Sequence, residues 1–176
     1  MCESFQEFAA QQLKKIRESH DDLSVGEKLR ESLPSKYEFK PDQFAFEYHL
    51  LRYALGCRFW ESVCLENGIE DEAVQKAFMR EMMAGYQSPT QINQAKGFSE
   101  YLHEGREVGD DQALLMMLEK FFGRLSLTKW ITETKRERRI GPAFQELVGI
   151  LQAFQSQCKR ELGDFILKRT LGDQQS

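Results

Sequence analysis

The feature that most constrains this chain is residues 42–67, a proline-free stretch with apolar residues on nearly every side of a helix. One apolar row steps by four and three residues from Phe44 to Phe59, and a second runs from Leu50 to Cys64. A surface helix carries one apolar stripe, whereas a helix that is apolar most of the way round lies inside a protein. The pattern therefore predicts a central helix that other helices surround.

The remaining segments also indicate helices, because apolar residues recur at helical spacing and alternating β-branched runs are absent. We expect an all-α fold, a compact bundle of about seven helices around residues 42–67. It should form a single domain over residues 1–171, with a frayed tail at residues 172–176. The other predicted helices are 4–19, 24–33, 71–85, 89–103, 110–122 and 142–171.

Three local signals refine this picture. Ser24 and Glu27 have the spacing of a capping box, which would start the second helix. The segment 125–140 has no clear pattern. Glycines inside the predicted helices indicate close helix packing, since glycine otherwise costs up to about 1 kcal/mol relative to alanine there. These glycines are Gly56, Gly97, Gly123, Gly149 and Gly163.

The last predicted helix, residues 142–171, has the most regular amphipathic pattern in the chain. At 1.5 Å per residue it is roughly 45 Å long, so we expect part of it to extend beyond a compact bundle. An apolar stripe on such an extension would suit a second copy or another protein. The predicted interface residues are Phe154, Cys158, Leu162 and Phe165.

Composition and charge narrow the class of protein. The net charge is −4, with residues 1–111 acidic and residues 112–176 basic. The four cysteines form no CxxC pair. No apolar run approaches the roughly 18 residues of a membrane span, and the first residues do not resemble a signal peptide. These observations favour a cytoplasmic protein with free thiols and no membrane span.

Polar side chains in the central segment and one later histidine offer a candidate binding site. His49 and Arg52 share a face of the predicted central helix. Such groups either hydrogen-bond to neighbours for structural reasons or line an internal pocket. The predicted ligand-binding residues are His49, Arg52, Tyr53, Trp60 and His103.

Glu100 and His103 have the ExxH spacing that places a carboxylate and an imidazole on one helix face. Di-iron bundles use this motif twice, with two further carboxylates, and no second copy is present here. We therefore expect no metal site, with Glu100 and His103 as the weak candidates. The structural alternative is an exposed pair near a helix C-terminus, where the dipole favours histidine.

The stretch FSEYLHEGREVGDDQALLMMLEKFF, residues 98–122, resembles the segment of globins that carries the haem-binding histidine. The residues that carry the likeness are Leu102, His103, Val108, Leu114 and Leu115. This resemblance implies a haem pocket with His103 as the axial ligand. The spacing from His103 to Val108 departs from the globin pattern. No second histidine stands where a distal one would lie.

A short basic patch follows Trp130. It could neutralise nucleic-acid phosphates. The chain is acidic overall and has no recognition motif, which favours a solvated helix face that balances the acidic half. The patch consists of Lys135, Arg136, Arg138 and Arg139.

The sequence contains no nucleophile motif and no glycine-rich phosphate loop, so no enzymatic reaction is nominated. Our leading hypothesis is a non-enzymatic regulatory or adaptor domain that is itself a homodimer, binds another protein and has no cofactor. The alternative is a helical bundle that binds haem or another apolar small ligand. Its polar anchor would be His103, or His49 with Arg52.

Overall fold

The computed structural model describes residues 4–18, 21–68, 89–104, 108–136 and 142–173. These ranges contain seven α-helices and no strand, which confirms the predicted all-α fold. The predicted helix over 71–85 lies outside the described residues. The helices are α1 (Phe5–Glu18), α2 (Asp21–Ser32), α3 (Pro41–Glu66), α4 (Pro89–His103), α5 (Asp110–Arg124), α6 (Thr128–Arg136) and α7 (Pro142–Asp173).

Helix α3 lies at the centre, as its apolar pattern predicts. It contacts α1, α2, α4, α5 and α7. Phe44 near its start and Trp60 near its end are each only 1% exposed, so both apolar rows are covered. The charged residues Glu47, Arg52 and Glu61 are buried as well. A buried charge is costly without compensating contacts. We therefore expect polar groups on the neighbouring helices beside these three residues.

Aromatic rings connect α3 to α5 and α7. Phe44 stacks on Tyr48 and meets Phe121 of α5 edge-on, each pair with ring centroids 5.6 Å apart. Phe121 packs edge-on against Phe122, whose ring centroid lies 5.7 Å from that of Phe144 in α7. These distances fall in the range where aromatic pairs add stability beyond the area that they bury.

The first described helix begins with a capping box that the sequence analysis did not single out. The Ser4 hydroxyl accepts from the Glu7 N–H (3.1 Å), and the Glu7 carboxylate accepts from the Ser4 N–H (2.7 Å). The predicted capping box at Ser24 and Glu27 is wrong. Helix α2 begins at Asp21, so Ser24 lies inside its first turn.

Helix α7 is 32 residues long and ends at Asp173, two residues beyond the predicted end. Residues 172 and 173, predicted to fray, belong to this helix, and residues 174–176 lie outside the described ranges. All four predicted interface residues are buried within this single chain. For example, Phe165 stacks on Phe8 of α1 with centroids 4.6 Å apart. The stripe is therefore part of the protein's own core.

The least patterned segment contains a nine-residue helix, α6, which packs against α5. Lys135 and Arg136 end this helix, and residues 137–141 lie outside the described ranges. The side chains of the predicted basic patch therefore lie outside the part of the chain that the structure describes. Within the described residues, none of the helices has both the length and the apolar character that crossing a bilayer requires.

Candidate functional site

A polar cluster around Glu47 joins α3 to α4 and α5. Arg124 donates from Nε to Glu47 (2.6 Å) and from Nη1 to Glu100 (2.7 Å). The Tyr101 hydroxyl also donates to Glu47, at 2.9 Å. Burial raises the pKa of Tyr101, and the neighbouring Glu47 carboxylate raises it further. The phenol therefore stays protonated as a hydrogen-bond donor, and the cluster holds three helices together.

A second polar cluster joins α3 to the start of α5 and to α7. Arg58 donates from Nη2 to the Val108 carbonyl at 2.8 Å. Its guanidinium also lies 3.5 Å from Glu61 and 3.9 Å from Asp110. Lys159 of α7 pairs with Asp110 at 2.5 Å. Opposite charges meet here, so this cluster has a structural explanation too.

The third buried charge of α3, Arg52, borders a cavity. This cavity of about 290 Å³ lies between α1, α3 and α7. Its volume is near the lower end of the roughly 300–1,000 Å³ that is typical of ligand sites. We name it the Arg52 cleft, and the residues that line it are Gln12, Lys15, Ile16, Arg52, Phe154, Gln157 and Cys158.

Aromatic rings position the Arg52 guanidinium in the wall of the cleft. Its central carbon lies 4.6 Å from the centroid of the Phe154 ring and 5.7 Å from that of Tyr48. A cation over an aromatic face is stabilised by the ring quadrupole. The guanidinium is planar, so a contact with a ring face orients the group through its flat side.

Glu161 of α7 gathers three side chains at the edge of the cleft. Its carboxylate accepts from Gln12 (2.6 Å), Lys15 (2.8 Å) and Gln157 (2.9 Å). Burial acts to raise the pKa of Glu161, but the bonds from Lys15, Gln157 and Gln12 together lower it below its ordinary value. Glu161 is therefore ionised at neutral pH. With Arg52 and Lys15 positive, these three side chains carry a net charge of +1.

The Cys158 thiol forms an apolar part of the wall. Burial raises its pKa to about 12, and Glu161 raises it further, while Arg52 and Lys15 oppose this effect. Burial also raises the pKa of Cys57. A nucleophilic cysteine needs a thiolate, so at neutral pH Cys158 acts as a small apolar group.

The structure separates the five predicted ligand-binding residues. Arg52 lines the cleft. His49 is half-buried beside Tyr53, with ring centroids 6.5 Å apart, and neither residue lines the cleft. Trp60 packs in the core, its ring 5.2 Å from that of Phe8. His103 is exposed at the end of α4.

The predicted weak metal pair is also divided. Glu100 accepts a hydrogen bond from Arg124, while His103 faces solvent. Among the described residues, no three histidine, cysteine, aspartate or glutamate side chains are close enough to hold a metal ion together.

Sequence reasoning did not identify Gln12, Lys15, Gln157 or Glu161, which come from opposite ends of the chain. One local signal was present, because Gln12 stands between Phe8 and Ile16 at spacings of four on the inner face of α1. A polar residue in an apolar row marks a place where a buried group needs a partner. Nothing in the sequence identifies that partner as Glu161.

The chain was compared with protein-family models, with curated proteins and with solved structures. None of the three comparisons gives a match. The geometry of the described residues is therefore the basis for assigning a function.

Proposed function

We propose that this protein is a non-enzymatic binding domain that holds a small molecule in the Arg52 cleft. The observation that carries this proposal is a buried arginine, 7% exposed, in the wall of a cavity of about 290 Å³. Ligand sites combine mostly apolar walls with a few polar groups that orient the ligand. The cleft has three apolar lining residues, Ile16, Phe154 and Cys158, and a larger polar share than most ligand sites. Among its polar residues, Arg52 would serve as the anchor.

The chemistry of the cleft supports binding rather than turnover. No histidine is among its described lining residues, and its thiol is neutral at physiological pH. Glu161 is ionised and held by three hydrogen bonds, which does not suit a general acid. These features favour a protein that responds to a ligand without altering it.

The position of the cleft suggests a regulatory response. Gln12 and Lys15 belong to α1, whereas Phe154 and Cys158 belong to α7. A ligand that touches both helices and Arg52 would strengthen the docking of α1 on the bundle. By mass action, a ligand at about 100 times its Kd adds roughly 2.7 kcal/mol to the free energy of unfolding.

A fragment screen on the full chain tests this proposal. NMR spectra are recorded with neutral and with charged fragments. We expect the fragments that bind to shift the amide signals of residues 12–16 and 154–158. Arg52→Met should abolish these shifts. Arg160→Met, the same substitution at an exposed site on α7, should leave them unchanged. Shifts that persist in Arg52→Met, or a screen without binders, would contradict the proposal.

A protein partner or homodimer stays a separate prediction. The four residues predicted to form the interface are buried in the core. Phe154→Glu and Phe165→Glu would therefore change the stability of the fold and would not test an interface. The exposed side of α7 includes the polar residues Gln152 and Ser156 and the apolar residue Leu167, which is 58% exposed. Light scattering on the wild-type chain measures the oligomeric state directly.

Haem binding also stays a prediction. Its proposed axial ligand, His103, is exposed and does not line the Arg52 cleft, which is too small for a haem macrocycle. The absorption spectrum of the purified protein tests this hypothesis. A Soret band that His103→Ala removes would support it.

A further inference from the structure

We propose that this protein binds a free amino acid with an apolar side chain in a second pocket, between α2 and the start of α3. This pocket shares no lining residue with the Arg52 cleft, so the proposal goes beyond the function proposed above. Two observations carry it. The pocket is small and mostly apolar, and two opposite charges line it without a partner among the described residues.

The walls of this pocket are mainly apolar. Its apolar lining residues are Gly26, Phe39, Pro41, Phe44 and Ala45, and we name it the Gly26 pocket. A Cβ at position 26 would lie 3.0 Å from Phe44 Cδ1 and 3.6 Å from Phe39 Cζ, so glycine lets both rings approach the α2 backbone. The two ring centroids lie 5.6 Å apart. Such walls suit an apolar group that packs against aromatic rings.

The volume of the Gly26 pocket limits the size of that group. An engineered apolar cavity of about 150 Å³ binds benzene. The Gly26 pocket, at about 170 Å³, therefore has room for one side chain of the size of leucine or phenylalanine.

Two charged residues, Glu27 and Arg30, complete the lining. They lie three residues apart on one face of α2, and both are exposed. Among the described residues, neither side chain has an ion pair or hydrogen bond with another side chain. The intervening Lys28, in contrast, pairs with Glu146 of α7. One positive and one negative group are therefore open to a ligand at the same pocket.

A free amino acid matches this arrangement. Its α-carboxylate can bind Arg30, because the planar fork of N–H donors fits two carboxylate oxygens. Its α-ammonium can bind the Glu27 carboxylate, while the apolar side chain enters the pocket beside Phe39 and Phe44. A simple amine or a simple carboxylate would leave one of the two charged residues unpaired.

A series of ligands tests the proposal on the wild-type chain. NMR titration of the full chain compares phenylalanine with glycine, which lacks the apolar group, with phenylalaninamide, which lacks the carboxylate, and with 3-phenylpropionate, which lacks the ammonium. We expect phenylalanine to shift the amide signals of residues 26–30 and 44–46. It should bind at least about tenfold more tightly than glycine, because burial of a phenyl group is favourable. Phenylalaninamide and 3-phenylpropionate should each bind about threefold to fivefold more weakly than phenylalanine, since exposed ion pairs contribute modestly.

Two charge variants assign the two ends of the ligand. Arg30→Gln should remove the preference for phenylalanine over phenylalaninamide and keep the preference over 3-phenylpropionate. Glu27→Gln should do the reverse, so each variant is a control for the other. Glu66→Gln, at the exposed end of α3, should change neither preference.

A third variant tests the pocket itself. Ala45→Leu places a larger side chain among the lining residues, so phenylalanine should bind at least about tenfold more weakly. Ala10→Leu, the same substitution at a half-buried position of α1, should leave binding unchanged.

Each contrary outcome overturns the proposal. If phenylalanine does not shift the signals of residues 26–30 and 44–46, or if it binds Ala45→Leu unchanged, the Gly26 pocket is not its site. If phenylalaninamide or 3-phenylpropionate binds as tightly as phenylalanine, the pocket does not select a zwitterion. Shifts confined to residues 12–16 and 154–158 would support the Arg52 cleft as a binding site and contradict the Gly26 pocket. Should Ala45→Leu not fold, the ligand series and the charge variants decide the question.

Discussion

At the scale of single residues, Ser126 is the one non-glycine residue with a positive φ, 61°, among the described residues. It follows α5 and completes a Schellman motif. Its N–H donates to the Gly123 carbonyl (3.0 Å), and the Leu127 N–H donates to the Phe122 carbonyl (2.8 Å). This left-handed conformation costs a residue with a Cβ roughly 1–2 kcal/mol.

We therefore expect Ser126→Gly to raise the free energy of unfolding by about 0.5–1 kcal/mol, since glycine removes the Cβ clash but gains entropy in the unfolded chain. Urea denaturation measures the change. Ser126→Ala is the control, because it keeps the Cβ and should give no comparable gain. Equal stabilities of the glycine and alanine variants would contradict this explanation.

A second residue-scale prediction concerns Glu7. The Ser4 backbone N–H, and then its hydroxyl, lower the pKa of the Glu7 carboxyl. A carboxyl group whose folded-state pKa is lowered stabilises the fold above its unfolded pKa, near 4.5, and this stabilisation is lost as the pH falls through the folded pKa. Glu7→Gln should therefore lower stability at pH 7 and flatten its decline below pH 4.5.

Thermal unfolding over a series of pH values measures this effect. Glu18→Gln, at the exposed C-terminal end of the same helix, provides the control. If both variants change the pH dependence equally, the capping box at Ser4 is not its cause.

At the scale of elements, the helix glycines differ in how closely a neighbouring side chain approaches them. A Cβ on Gly97 of α4 would lie 2.9 Å from both Leu50 Cδ1 and Arg124 Nη2, so α4 packs closely here. A Cβ on Gly149 or Gly163 of α7 would meet nothing within 4 Å. The interpretation of all five glycines as packing sites is therefore wrong for these two.

This difference predicts that the same substitution changes stability differently at the two kinds of position. Gly149→Ala should raise the free energy of unfolding by about 0.5–1 kcal/mol, because alanine is the better helix former. Gly97→Ala should not raise the free energy of unfolding in this way, because the new methyl group must displace Leu50 or Arg124. Chemical denaturation compares the two variants directly. A stabilised Gly97→Ala protein would show that these neighbours move at little cost.

At the scale of the whole molecule, Arg124 connects α5 to both α3 and α4 through Glu47 and Glu100. Arg124→Met leaves Glu47 buried without its cationic partner. We expect this to lower the free energy of unfolding by roughly 3 kcal/mol, the cost typical of an uncompensated buried charge. Lys120→Met, which removes a more exposed contact with Glu104, should cost less than about 1 kcal/mol.

A double variant separates charge from packing. If the buried charge causes the loss, adding Glu47→Gln to Arg124→Met should recover part of the stability. No recovery would mean that the Arg124 side chain acts through its packing on Tyr101, whose ring centroid lies 5.8 Å from the guanidinium.

Local patterns were sufficient to predict much of the fold. Residues 42–67 contain more apolar surface than one helix face can hold, so the central position of α3 followed from the sequence. Pro89 and Pro142 each begin a helix as predicted, because proline suits the first turn, where its missing N–H is not needed. Such signals depend on neighbouring residues alone.

The site depended on contacts that no local pattern contains. The stripe of Phe154, Cys158, Leu162 and Phe165 had to be buried, but hydrophobicity does not specify which surface covers it, and the chain's own helices do so. Likewise, Arg52 was recognisable as a polar residue in an apolar helix. Its cleft exists only because α1 and α7, from opposite ends of the chain, meet beside it. The sequence determined what must be buried, and the tertiary structure decided which residues bury it and where space remains.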